Sequence, residues 1–128
     1  MIADGHHLPE SMLRVYLRAK GPGRIVVVSD AAPIAGFPPG IYQTLGNTVV
    51  LEPSGLLRNP EKGCMVGSSA TLLDCMNHLA SLDVLDLDGL RQVGFANPLA
   101  LIGLTADDVD TTETLRYDPV ARRFDLRG

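Results

Sequence analysis

The stretch RIVVVSDAAPIAG, Arg24 to Gly36, constrains this chain more than any other. Ile25 to Val28 is an unbroken β-branched run between Gly23 and Ser29-Asp30. Such residues favour extended backbone, and an apolar run without alternation reads as a strand buried on both faces, as in a parallel sheet. Parallel neighbours need a crossover, so the flanking chain should interleave helix with strand. Asp30, at the strand's C-terminal end, has two readings. It either forms a turn, or it stands where barrels and open α/β sheets bind ligands.

The residues upstream supply the crossover. Met1 to Asp4 reads as the tail of a strand that runs into Asp4-Gly5. Pro9 and Glu10 open a helix, whose Met12, Leu13, Tyr16 and Leu17 make one apolar face, and Gly21-Pro22-Gly23 ends it. The order is a βαβ unit, with parallel strands and a right-handed crossover. Adjacent strands lie about 4.8 Å apart, so the loops Asp4-Gly5-His6-His7 and Ser29-Asp30-Ala31 can direct one His and one Asp at a common group. His6-His7 is not a metal pair, because neighbouring side chains point apart whereas HxH or HExxH places them on one face. The plain alternative for either histidine is a surface or capping role.

Downstream the rhythm changes. Pro38-Pro39-Gly40, then β-prone Ile41 to Leu45 and Thr48 to Glu52 around a turn at Leu45-Gly46-Asn47, predict a hairpin excursion over about 37–63, with a short third strand near Leu56 to Arg58. Gly67-Ser68-Ser69 reads as a cap for a helix with core residues Leu72, Leu73, Met76, Leu79 and Ala80; the turn lacks the GxxxxGK[ST] pattern of a phosphate cradle. Asp86 or Asp88 starts another helix through Val93, which Asn97-Pro98 should break before a last short helix, Leu99 to Ile102. The tail from Thr105 opens on an acidic turn, Asp107 to Asp110, without the loop of a calcium site. Candidate strands Thr114 to Tyr117 and Arg123 to Leu126 follow.

Composition removes several classes of function. A net charge of −4 with scattered basic residues offers no stripe for nucleic acid. No apolar run approaches the roughly 18 residues of a membrane span, and MIADGHHLPE lacks the regions of a signal peptide, so the expected setting is cytoplasmic. Cys64 and Cys75 form no CxxC and have no further ligands near them, which predicts free, buried thiols.

ADGHHL, VVVSDAAPIAG, GCMVGSSATLLDCMNHL and FANPLALIGL, in that order over Ile2 to Leu104, resemble the C-terminal part of the N-acetylglucosamine-6-phosphate deacetylase family, within the metal-dependent amidohydrolases. The resemblance implies an α/β chain forming the last β/α units of a (β/α)8 TIM barrel over residues 1–104, with the tail, 105–128, belonging to a small flanking sandwich. It implies that Asp30 is the catalytic aspartate that exchanges a proton with the attacking water and the departing amine. His7, in the Ala-Asp-Gly-any-His pattern, contacts substrate, and Met65 lines the acetyl pocket. The implied partner is a small amino-sugar phosphate, with no nucleic acid and no membrane, and there is room for a homodimer of the complete protein.

The departures are equally specific. The divalent metal of the family, Zn or Fe, takes its ligands from earlier strands, so the metal-ligand assignment within this chain is none. After Leu104 the Gly-x-Leu-x-x-Gly-Lys-x-Ala-Asp-Leu segment is missing. A barrel needs about 200 residues or more, so the expectation is a fragment whose Met1 is an internal methionine. Alone it should be inactive and aggregation-prone. The alternative is a non-catalytic binding or interaction module derived from the same fold.

Overall fold

A computed structural model describes residues 1–110, 112 and 114–126, which form two compact units: Met1–Val28 with Leu72–Gly128, and Ser29–Thr71. In the first unit Ile2 and Val28 pair in parallel, with the Val28 N–H donating to the Met1 carbonyl at 3.0 Å. Between them runs α1 (Glu10–Lys20). Pro9 fits its N-cap because φ is already fixed near the helical value and no N–H is lost, while Glu10 in the first turn and Arg18 and Lys20 in the last suit the helix dipole. Leu13 and Leu17 are buried, and Gly21 ends the helix at φ +72.

Ile25 to Val28 departs from the two-faced burial expected of it. Ile25 and Val27 are buried, whereas Val28 is 45% exposed. An apolar run sets an extended backbone; what packs on each face decides its burial. One neighbour is a helix, since the Val27 N–H donates to the Val93 carbonyl at 2.9 Å.

α2 (Leu72–Ser81) buries Cys75, Met76, Leu79 and Ala80, and leaves Leu72 exposed. α3 (Leu87–Arg91) is capped by Asp86, whose carboxylate accepts the Gly89 N–H at 2.8 Å. The break expected at Asn97-Pro98 is absent. α3 passes through a π-helical segment, Gln92–Ala96, directly into α4 (Asn97–Leu101). A π turn shifts the hydrogen-bond spacing, so the missing proline N–H falls where the helix can do without it.

The second unit is an antiparallel meander of β1 (Gly40–Thr44), β2 (Asn47–Leu51), β3 (Leu57–Asn59) and β4 (Cys64–Met65), in that spatial order. The hairpin turns on Leu45 and Gly46, both at positive φ, which matches the right-handed twist of the strands. Ala32, Ile34, Val49, Leu51 and Leu57 form its core. Buried Asn59 closes the β3–β4 turn by accepting the N–H groups of Glu61 and Lys62 on its side-chain oxygen. Cys64 is exposed, against expectation, because β4 is the edge strand; Cys75 is buried, and both thiols are free.

The tail returns to the first unit. Thr105 and Asp108 make a capping box, and the Thr105 N–H and hydroxyl hold the Asp108 carboxyl below the usual carboxylate range. β5 (Leu115–Asp118) and β6 (Arg123–Leu126) pair as a hairpin. Asn77 of α2 holds β6 through the Phe124 backbone, its amide donating to the carbonyl at 3.1 Å and its oxygen accepting the N–H at 2.6 Å.

Candidate active site

Three residues are expected at the site: His7 in the first unit, and Asp30 and Met65 in the second.

Two residues past the Ile2–Val28 bridge, the chain turns at Asp4. Its side chain is 1% exposed and gathers three donors. One carboxylate oxygen accepts the His6 N–H at 3.0 Å and the His7 N–H at 2.9 Å, and the other lies 2.8 Å from His7 Nδ1. An ionised carboxylate only accepts, so the ring proton of neutral His7 sits on Nδ1. The loop closes this tightly because Gly5 takes φ +81, a left-handed conformation that residues with a Cβ rarely adopt. Below it, Cys75 is pushed up to about 11, chiefly by burial; a hydrogen bond from the Ala3 backbone opposes the shift, and the charges of Asp4 and Asp74 add to it.

Asp30 lies two residues past Val28, exposed, with φ +54. That left-handed conformation is uncommon for a residue with a Cβ, though Asp tolerates it better than most. Its backbone is fixed on the other side: the Asp30 carbonyl accepts the Ser68 N–H at 2.8 Å, the Ala32 N–H donates to the Ser68 carbonyl at 2.8 Å, and Ala31 and Ser68 form a parallel bridge. The approach depends on Gly67, at φ +68, where a Cβ would sit 3.0 Å from the Asp30 carbonyl oxygen. The Gly-Ser-Ser turn therefore serves as a backbone partner for the Asp30 loop. The Ser68 hydroxyl accepts the Ala70 N–H at 3.0 Å, and the Ser69 hydroxyl donates to the Gly55 carbonyl. Met65 stands in β4 opposite Arg58 of β3 and is half-buried.

Asp4 has no role among the expected site residues, although an Asp opening a Gly-containing turn signals that its carboxylate accepts from the backbone that follows. Among the described residues, no cluster of three or more His, Cys, Asp or Glu side chains could hold a metal ion, and no helix is long and apolar enough to cross a membrane.

An α/β chain with a parallel pair, acidic residues just past it and an antiparallel meander defines the class, and comparison with known proteins narrows it. Over 106 residues, 82% of its length, the chain is 31% identical to an N-acetylglucosamine-6-phosphate deacetylase of Danio rerio, in agreement with the resemblance read from the sequence. It shares the fold of the N-acetyl-D-glucosamine-6-phosphate deacetylase of Mycobacterium smegmatis, with a TM-score of 0.81 over 99% of this chain at 21% identity. A mutant of that enzyme, in complex with N-acetyl-D-glucosamine-6-phosphate, matches with a TM-score of 0.81 over 97% of this chain at 20% identity. The chain spans 26% of the Danio rerio protein and 35% and 34% of the two solved chains. No protein-family model matches it.

Proposed function

We propose that this chain is the proton-handling portion of a larger N-acetylglucosamine-6-phosphate deacetylase. Residues 1–104 supply the last β/α units of a (β/α)8 barrel with the excursion at about 37–63, and residues 105–128 supply part of a flanking sandwich. Identity to the Danio rerio deacetylase over most of the chain supports this. The observation that carries it is Asp30: an exposed acid in a left-handed conformation, two residues past a parallel bridge, with its backbone fixed by Ser68. Backbone conformations that cost energy persist where the surroundings over-determine them, and they concentrate at functional sites.

The reaction needs a nucleophile at neutral pH and a protonated leaving group. Asp30 takes a proton from the attacking water as its oxygen bonds to the acetyl carbonyl carbon. It returns that proton to the sugar nitrogen as the C–N bond breaks, giving acetate and glucosamine 6-phosphate. His7, oriented by Asp4, contacts the acetamido group, and Met65 lines the space for its methyl. In this reading the divalent metal implied by the family takes its ligands from the remainder of the enzyme.

The test is product analysis with the complete enzyme and N-acetylglucosamine 6-phosphate. Equimolar acetate and glucosamine 6-phosphate are expected. A metal-loaded enzyme that leaves this substrate intact would contradict the proposal.

A further inference from the structure

The segment leading to Asp30 is held along one side by a helix, through groups that this helix does not use internally. In an α-helix the Val93 carbonyl would accept from the N–H of residue 97. Here the Asn97 N–H donates to the Gln92 carbonyl instead, the spacing of a π turn. The next residue that could serve Val93 at that spacing is Pro98, which has no N–H. The Val93 carbonyl is thus left to the Val27 N–H, 2.9 Å away, and both residues are buried. Beside it, the Asn97 amide nitrogen lies 2.7 Å from the Pro22 carbonyl and 2.7 Å from the Ile25 carbonyl. A primary amide has two hydrogens, and both are directed at the backbone that enters this segment.

We propose that Asn97, with Pro98 beside it, is a positioning residue for Asp30: together they clamp Pro22 to Val27 and so fix the stem from which the Asp30 loop continues. The inference rests on the catalytic reading of Asp30. Asn97 touches no reacting atom; its effect passes through the stem, so it should appear in kcat more than in KM.

Two variants of the complete enzyme test it. Asn97→Asp keeps the shape of the side chain but turns an acceptor toward two carbonyls. Pro98→Ala returns an N–H to residue 98 and lets the helix reclaim its ordinary spacing, so it carries the test if Asn97→Asp fails to fold. Expected for each is a fall in kcat of about tenfold or more, corresponding to a misplaced catalytic group, with KM within about twofold and metal content unchanged. Hydrogen exchange at the Val27 amide should accelerate in both. An unchanged kcat in both variants, alongside an inactive Asp30→Asn, overturns the positioning role and leaves the reading of Asp30 standing. An active Asp30→Asn overturns both.

Discussion

His7 Nδ1 lies 2.8 Å from a carboxylate oxygen of Asp4 whose side chain is shielded from solvent. The carboxylate fixes which ring nitrogen carries the proton, and its bonds to the His6 and His7 N–H groups fix where the ring stands. Asp4→Asn would present an amide where a carboxylate oxygen now faces Nδ1. Nitrogen-15 shifts of the His7 ring should then report a change from the Nδ1–H to the Nε2–H tautomer. An unchanged tautomer would mean that Asp4 does not set it. Asp4→Ala removes these acceptor contacts and should cost about 1.5–3 kcal/mol, the range for a hydrogen bond to a charged group, in denaturant unfolding.

The two thiols should separate cleanly by reactivity. Cys64 is exposed and Cys75 buried with its pKa pushed up to about 11. At pH 8 a thiol reagent should modify Cys64 rapidly and Cys75 only in denaturant. The raised value also gives a sign to the pH dependence. The folded chain keeps the Cys75 proton to higher pH than the unfolded chain, so this contribution to stability is intact below the ordinary value of 9.0 and is lost as pH rises from there toward about 11. Cys75→Ala should flatten that alkaline loss. A wild-type profile unchanged by the substitution would contradict it.

Gly67 is poorly suited to a side chain. It combines φ +68 with the Asp30 carbonyl 3.0 Å from an added Cβ. Gly67→Ala should destabilise by about 1–3 kcal/mol, the range for a strained backbone position, and should accelerate hydrogen exchange at Ser68, whose N–H donates to Asp30. Unchanged exchange there would show that the Asp30–Ser68 pairing does not depend on the glycine.

The C-terminal hairpin depends on one amide. Asn77 both donates to and accepts from the Phe124 backbone. Asn77→Ala should cost about 1–3 kcal/mol, two ordinary hydrogen bonds, and should raise exchange at Phe124 well before residues of α1. Uniform loss of protection throughout the first unit would instead make Asn77 a global core residue.

Much of this architecture is legible in the residues. The Leu-Gly-Asn turn, Pro9 ahead of α1 and the Asp118-Pro119 turn each carry a local backbone preference, and local preferences survive folding. The parallel pairing of Ile2 with Val28 follows from a helix between two extended segments. What fails is what neighbours decide. A β-branched run does not reveal that Val28 is open, and Cys64 looks like a core residue until β4 becomes the edge. Asn97-Pro98 looks like a helix break because proline removes an N–H, yet a π turn accommodates the loss and Val27 takes the carbonyl it leaves. Asp30 is legible as an acid after an extended apolar run, whereas its φ of +54 and the pairing of its backbone with Ser68 depend on neighbours distant in sequence. Asp4 was harder to read because its importance lies in the three donors it gathers.

Asp30→Asn in the complete enzyme tests most directly the proposal that Asp30 moves the proton. The substitution keeps the size of the side chain and its tolerance for left-handed backbone while removing its basicity. Deacetylation of N-acetylglucosamine 6-phosphate should fall by about a hundredfold or more, the contribution typical of a general acid–base, with metal content close to wild type. Activity within a few-fold of wild type at full metal occupancy would contradict the assignment.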